Sequence, residues 1–133
     1  MTDSFTPLAR ALVVVSLLFA TATVMVVTVS RARAAGALAI GACGAYGEAY
    51  DFHTAKQARD SAESKCEGNT CRVVAVVRRG CAAFAVDFKN PCGAHGWGRA
   101  PGLGHAQNAA LRSCYHDGGH ECVIRTFFCD AKG

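Results

Sequence analysis

Cysteine is absent from the first 42 residues of this 133-residue chain, whereas all eight cysteines lie between Cys43 and Cys129. This uneven distribution separates a cysteine-free N-terminal segment from one cysteine-rich domain, predicted to span residues 35–133. A domain this small buries a limited core, and disulfides are the usual compensation in an exported chain. We therefore predict four disulfides, an even set that leaves no free thiol to act as a nucleophile.

The cysteine-free segment has the features of an export signal. Residues 11–29 form an apolar stretch without a charged side chain, and Ala32 and Ala34 take the two small-residue positions of an A-x-A cleavage site. We predict that residues 1–34 are a signal peptide and that the protein is secreted or periplasmic. A retained N-terminal membrane anchor is the alternative, because the stretch is nearly long enough to span a bilayer. Both interpretations place the cysteine-rich domain outside the cytoplasm.

Strong charge and catalytic motifs are lacking as well. From residue 35 onward, eleven basic residues stand against nine acidic ones. No run interleaves arginine with aromatic side chains, so a nucleic acid partner is not predicted. The glycine-rich stretch 96–104 has neither the Lys-Ser/Thr pair of a phosphate-binding loop nor the spacing of a dinucleotide fingerprint. No serine has the context of a nucleophile elbow. No cofactor is therefore expected, and an enzyme is the less favoured interpretation.

What the chain does contain is an internal repeat. Residues 54–79 combine a polar helix striped with alanine, a turn, a cysteine and a run of valines, and residues 105–128 have the same order. Thr54, followed three residues later by Gln57, has the capping-box pattern of a helix start. In each helix two alanines and a final cysteine are four residues apart and share one face: Ala58, Ala62 and Cys66, then Ala106, Ala110 and Cys114.

The repeat predicts the fold. Two short strand-like segments precede each helix, so the predicted order is β-β-α-β, repeated over about 36–80 and 81–130. We predict an α+β domain with about six strands in a mostly antiparallel sheet. Two helices would pack on one face of that sheet, related by a pseudo-twofold axis, because both alanine faces could then share one core.

The order of these motifs also resembles a known family. The residues that carry the resemblance are Gly36-Ala37-Leu38-Ala39-Ile40, the alanine helix ending in Cys66, Cys71 with its valine strand, Cys81-Ala82-Ala83, Gly96-Trp97-Gly98 and the alanine helix ending in Cys114. Together they resemble the bacterial family called domain of unknown function 4189, over essentially all of residues 35–133. The resemblance implies an exported bacterial protein and supplies no agreed activity or catalytic residues.

The repeat limits how the cysteines can pair. Eight cysteines allow 105 pairings, but under a pseudo-twofold each bond must map onto another bond or join equivalent positions. The short turn between helix and strand favours two local bonds, Cys66 with Cys71 and Cys114 with Cys122. The other four cysteines can then pair across the axis, as Cys81 with Cys129 and Cys43 with Cys92. The sequence alone leaves the pairing of these four open.

The favoured function is a non-enzymatic module that binds an unknown protein or a component of the cell envelope. Its candidate binding residues lie on predicted strands and loops: Tyr46, Tyr50, Trp97 and Arg99. An exposed Trp/Arg pair is a plausible binding anchor. The only tryptophan can instead be a core residue that folds over the alanine helices, and this interpretation is slightly favoured. Contact with a membrane is predicted only if residues 1–34 are retained.

The alternative function is a small cell-envelope enzyme, either a hydrolase or metal-dependent. It would use His95, His116 and His120, and it requires these histidines to converge in one cleft. His116, His120 and Cys122 could be read as metal ligands. No metal site is predicted, however, because the spacing belongs to a glycine turn and a disulfide is expected at Cys122.

Overall fold

The secondary structure follows the predicted repeat order. The computed structural model describes residues 34–130, so the predicted signal segment, apart from its last residue, lies outside the described residues. The strands and helices are β1 Ala35–Ile40, β2 Tyr46–Phe52, α1 Ala55–Lys65, β3 Arg72–Val77, β4 Gly80–Asp87, β5 His95–Ala100, α2 Leu103–His116 and β6 Cys122–Asp130. A short 3-10 turn, Ala42–Gly44, joins β1 to β2. The predicted α+β fold with two β-β-α-β repeats is confirmed.

The strands form two three-stranded antiparallel sheets instead of one six-stranded sheet. Their orders are β2-β1-β3 and β5-β4-β6, so the first strand of each repeat lies in the centre of its own sheet. Both sheets carry a β-bulge at matching points, between Leu38 and Ala39 against β3 and between Phe84 and Ala85 against β6. The β1–β3 and β4–β6 pairs therefore match in register, whereas β1–β2 has a further bulge, between Ala35 and Ala37, that β4–β5 lacks.

Each helix packs on its own sheet, not on a face shared with the other helix. Alternate side chains of a strand point to opposite faces. On β4, Ala83 and Ala85 pack against the alanine stripe of α2, whereas Phe84 packs in the layer between the two sheets. The alanine face of α1 packs in the same way on β1 and β2. The layers are therefore helix, sheet, sheet, helix, because the central strands are apolar on both faces and each face needs a cover.

The layer between the sheets holds the larger apolar side chains, whereas the helix layers hold alanine. Its buried members are Leu38, Ile40, Ala75, Val77, Ala82, Phe84, Val86 and Phe128. Leu38 and Phe84, at matching positions of the two central strands, are among the largest fully buried side chains of the described residues. The expected single core is thus divided into three, with its bulk between the sheets.

The start of α1 is capped as the sequence indicated. The Thr54 side chain accepts a hydrogen bond from the Gln57 backbone N–H at 3.2 Å, and its hydroxyl donates to Gln57 Oε1 at 3.1 Å. The helix C-terminal end carries Lys65, where a cation interacts favourably with the helix dipole. Local sequence therefore marks where this helix begins, and its packing on β1 and β2 stabilises it.

All eight cysteines are paired in four disulfides: Cys43–Cys92, Cys66–Cys71, Cys81–Cys129 and Cys114–Cys122. The two local bonds join each helix end to the next strand, and they are equivalent in the two repeats. Four disulfides indicate an oxidising environment, extracellular or periplasmic. Within residues 34–130, no helix is long and apolar enough to cross a membrane.

One disulfide does not lie where the repeat placed it. Cys81 and Cys129 are directly opposite each other on the neighbouring strands β4 and β6, so this bond is inside the second repeat and not across the axis. Counting back from the matching bulges, the first-repeat equivalent of Cys81 is Ala35. Cys81 and Cys129 are therefore not equivalent positions, and the expectation that they were is corrected.

Candidate functional site

Strand β5 places the predicted binding residues Trp97 and Arg99 on one face. Gly96 and Gly98 alternate with them and face α2, where their missing side chains allow the helix to approach the strand backbone. Trp97 therefore does not fold over the alanine helices, and it is 38% exposed. His95, Trp97 and Arg99 form an exposed row along this edge strand.

Strand β2 carries the equivalent row, which includes the other two predicted residues, Tyr46 and Tyr50. The guanidinium carbon of Arg125 lies 5.9 Å from the centre of the Tyr46 ring, a cation–π contact. The Tyr50 ring stacks on Phe128 with centroids 6.3 Å apart. Between these two contacts, the Thr126 hydroxyl donates a hydrogen bond to Glu48 at 2.5 Å. The β2 row is thus held against β6.

The four predicted binding residues consequently lie in two places. Tyr46 and Tyr50 contact β6, whereas the Arg99 guanidinium reaches the backbone carbonyl of Val76 on β3. β2 and β3 are the two opposite edges of one sheet. The structure brings Trp97 together with Arg99 and Tyr46 together with Tyr50, but it does not unite the two pairs in one surface.

A groove of about 510 Å³ runs along β3 beside Arg99. Its floor is the strand from Arg72 to Val76, one wall is Arg59 and Glu63 of α1, and Arg99 closes the other side. A second, smaller groove of about 320 Å³ adjoins the end of β3 and is lined by Arg78, Arg79 and again Arg99. We call the two together the β3 groove.

The β3 groove has a strong positive charge. Arg59, Arg72, Arg78, Arg79 and Arg99 line it, which is five of the seven arginines between residues 34 and 130, whereas Glu63 is the acidic residue in its lining. The near-neutral charge of the domain hides this concentration.

The sequence prediction missed the positive charge of the β3 groove because its arginines are spread over forty residues. The signal that could have found it is the pair of arginine positions at the two ends of the valine strand, since charged side chains often mark an exposed edge strand.

Asp87 is a second feature that the sequence did not reveal. Its Oδ1 accepts hydrogen bonds from the backbone N–H groups of Lys89 (2.9 Å) and Asn90 (3.2 Å), and its Oδ2 accepts from those of His120 (2.7 Å) and Glu121 (3.3 Å). The His120 bond contributes most to lowering the pKa of this carboxyl from 3.8 to about 2. The carboxylate therefore ties the β4–β5 loop to the α2–β6 loop, which is a structural role.

We expect Asp87→Asn to loosen both loops. The amide cannot accept through its nitrogen, so two of the four backbone N–H groups lose their acceptor. Because the pKa of Asp87 is lowered in the folded state, its stabilising effect is full above about pH 4 and is lost as the pH falls towards about 2. Urea denaturation across this range should show a lower midpoint for the variant at pH 6, and a difference that shrinks in acid. Asp60→Asn, which alters an exposed pair with Lys56, is the control and should change little; equal midpoints for Asp87→Asn and wild type at pH 6 would contradict the assignment.

Asp130 is buried without compensation. Its side chain is 2% exposed, and among the described residues neither carboxyl oxygen has a hydrogen-bond partner of normal geometry. Burial raises the pKa of Asp130 above its usual 3.8; the backbone amide of Arg79 offsets part of this, and the charge of Asp51 adds to it. The folded state thus favours the neutral acid.

Asp130→Asn is expected to stabilise the domain by about 1 kcal/mol near neutral pH, because a neutral amide is less costly to bury than an unpaired carboxylate. Because the pKa of Asp130 is raised in the folded state, this residue's contribution to stability is full below its usual pKa and is lost as the pH rises through the folded-state pKa. The Asp130→Asn variant should not show this loss of stability with rising pH. Urea denaturation of both proteins at pH 4 and pH 7 measures it, and a variant less stable than wild type at pH 7 would show that the charged form is the stabilising one.

The three histidines of the alternative function lie near one end of the second repeat, on β5, at the end of α2 and in the α2–β6 loop. His95 Nδ1 lies 3.9 Å from Asp117 Oδ2 on the exposed surface, His116 is the last residue of α2, and His120 contacts Asp87 through its backbone. Within the described part of the chain, no three His, Cys, Asp or Glu side chains are grouped so that they could hold a metal ion.

Comparison with known proteins gives a family and no activity. The chain matches no curated protein and no solved structure. The model of one family, described as a domain of unknown function (DUF4189), matches residues 35–129, which is the whole disulfide-bonded region from the first strand to the last cysteine. The chain therefore belongs to the family of domains of unknown function DUF4189.

Proposed function

We propose that this domain is an exported, non-enzymatic module that binds another protein or a component of the cell envelope. Its binding surface is the β3 groove together with the exposed ring of Trp97. The observation that supports this proposal is the difference between two sides of the molecule that the repeat makes equivalent.

The β2–β6 side has more contacts within the domain than the β5–β3 side, although a groove of about 370 Å³ lies there beside Tyr46 and Arg125, and Tyr50 is 50% exposed. A cation–π contact, a hydrogen bond and a stacked aromatic pair join β2 to β6 along most of the strand. On the equivalent β5–β3 side, the bond recorded between the described residues is one from Arg99 to Val76 O, at 3.4 Å. Among residues 34–130, Trp97 has no stacked aromatic or cation–π partner. Trp, Tyr and Arg are the side chains most enriched at the centres of protein interfaces, and both sides carry such residues. The β5–β3 side is the better candidate because its Trp97 and Arg99 make fewer contacts within the domain.

The predicted signal peptide supports export, and the four disulfides fit the compartment that it implies. The alternative, a small cell-envelope enzyme using His95, His116 and His120, would require a site that assembles these side chains. Binding requires only a surface, and the β3 groove supplies one.

Site-specific photocrosslinking in the cells that produce the protein tests the proposal. A photoreactive phenylalanine analogue is placed at Trp97, at Tyr50 on the β2–β6 side, and at Tyr115 on α2. Tyr50 and Tyr115 are 50% and 51% exposed. We expect a discrete adduct from position 97 and none from positions 50 and 115, since only the first lies on the proposed surface. The same adducts from all three positions, or none from position 97, would refute it.

A further inference from the structure

We infer that the β3 groove receives an extended, acidic segment of a partner protein, which pairs along the free edge of β3 as a fourth strand of the β2-β1-β3 sheet. This inference rests on the proposed binding function, and it specifies the partner class and the mode of binding.

The first argument is the unpaired edge of β3. The strand is last in its sheet, so within the described chain no strand pairs beyond it. The Val76 carbonyl oxygen accepts a hydrogen bond of 3.4 Å from the Arg99 side chain, so this oxygen is within reach of groups outside the sheet. An edge strand presents a row of such N–H and C=O groups, and a strand of another chain can satisfy them at a spacing of about 4.8 Å.

The second argument is the shape around that edge. The groove follows the strand backbone from Arg72 to Val76 between α1 and the Arg99 side chain, and its volume is about 510 Å³. A groove between a helix and an edge strand is the geometry in which peptides are bound by strand addition, where the backbone gives affinity and the side-chain sites give specificity.

The third argument is the charge. Arg72 begins β3, and Arg78 and Arg79 directly follow its end, so positive charges stand at both ends of the strand, roughly 20 Å apart at about 3.3 Å per residue. Arginine pairs with carboxylates through two parallel hydrogen bonds. An incoming strand with Glu or Asp near each end would meet these guanidinium groups while its backbone pairs with the valines.

The same charges exclude a second copy of this chain as the occupant. Pairing β3 with β3 would bring the arginines of both copies together, and like charges directly opposite are destabilising. Phosphate groups of nucleic acid or lipid could meet the arginines, but they cannot satisfy the backbone groups of the strand edge. An acidic protein segment satisfies both.

The test uses a defined probe, a capped ten-residue peptide of alternating Glu and Val, titrated into isotope-labelled domain and followed through its backbone amide resonances. We expect the largest shifts at residues 72–77 and slowed hydrogen exchange there. A peptide with Lys in place of Glu should bind at least about tenfold more weakly, because it loses the ion pairs with the arginines. A Glu peptide N-methylated on alternate residues should bind at least about tenfold more weakly as well, because it loses backbone hydrogen bonds to β3. Equal binding by all three peptides would overturn strand addition.

Two variants separate the groove from general surface charge. Arg59→Gln combined with Arg72→Gln should weaken the Glu peptide about tenfold, whereas Arg112→Gln, on the exposed surface of α2, should not change its affinity. A ten-nucleotide oligothymidylate and phosphatidylglycerol vesicles serve as competing probes. If either binds at β3 more tightly than the Glu peptide, the acidic-segment inference is wrong and the partner carries phosphate.

The outcomes also separate this inference from the proposed function. An adduct from position 97 without peptide binding at β3 would leave a binding module with a different partner class. Failure of both experiments would remove both proposals.

Discussion

Replacing Gly47 or Gly96 by alanine should cost the domain about 3 kcal/mol of its free energy of unfolding, at the upper end of what overpacking a core usually costs. A Cβ at Gly47 would overlap the Ala62 carbonyl oxygen and approach the Cys66 backbone nitrogen to 2.7 Å, and one at Gly96 would lie 2.5 Å from the Ala110 carbonyl oxygen. These neighbours are helix backbone atoms, which no side-chain rotation can move away. Only displacement of the whole helix from its sheet would relieve the overlap.

Urea denaturation of the oxidised proteins measures the effect, and Gly104→Ala is the matched control. Gly104 lies in α2 and a Cβ there would have no neighbour within 4 Å. Alanine in a helix is favoured over glycine by about 0.5–1 kcal/mol, so this variant should be more stable than wild type. Near-equal stabilities for the Gly47 and Gly104 variants would mean that the helix does not approach β2 as closely as described.

Removing the Cys43–Cys92 disulfide, which joins the two repeats, by alanine substitution of both residues should cost more stability than removing a local disulfide. The bond closes a loop with a sequence separation of 49 and joins the 3-10 turn of the first repeat to the β4–β5 loop of the second. Chain-entropy arguments give about 4 kcal/mol for a loop of this length. For a domain this small, that is a large part of its total stability.

Cys66→Ala combined with Cys71→Ala is the comparison, since this bond has a sequence separation of only 5. The same argument gives about 2 kcal/mol for so short a loop. Thermal and urea denaturation of the two double variants should therefore rank the long-range bond above the local one. The reverse order would show that the local bond stabilises the fold through contacts in the native state more than through restriction of the unfolded chain.

Much of the fold could be predicted because the repeat states it twice. The Thr54 cap, the alanine spacing and the short turn before Cys71 are local features, and each specifies a neighbouring element. The local disulfides Cys66–Cys71 and Cys114–Cys122 followed from the same short distances along the chain. Because the same pattern occurs in both repeats, chance is a poor explanation for its alanine and cysteine spacings.

The layer arrangement could not be predicted in the same way. The alanine stripes show that each helix packs closely on a strand, but they do not show whether two helices share a face. Leu38 and Phe84 determine the layer arrangement, because they alternate with alanines along the central strands and need apolar contacts on the face opposite the helices. Pairing of the two sheets supplies these contacts, and it concerns residues 46 positions apart in the sequence.

Only part of the candidate site could be predicted from the sequence. Trp97 and Arg99 were identified by residue type, and Tyr46 and Tyr50 were grouped with them because all four alternate along similar strands. How many contacts such a row makes within the domain depends on the strand of the other sheet that lies beside it. That strand is β6 for β2 and β3 for β5, and their contacts differ although the repeat makes them equivalent. Arg59 and Arg72 belong to the site only because the fold places α1 beside the edge of β3.

The position of the Cys43–Cys92 bond has a consequence for the origin of the fold. A bond between equivalent positions of two repeats is one that a chain of half the length can form with a second copy of itself, in the isologous manner of symmetric dimers. The inter-sheet layer has the same character, because Leu38 and Phe84 occupy matching places on its two sides. Fusing two half-length copies that pair in this way would give the arrangement seen here, and after fusion each half can change without the other, so the two edges need not stay alike.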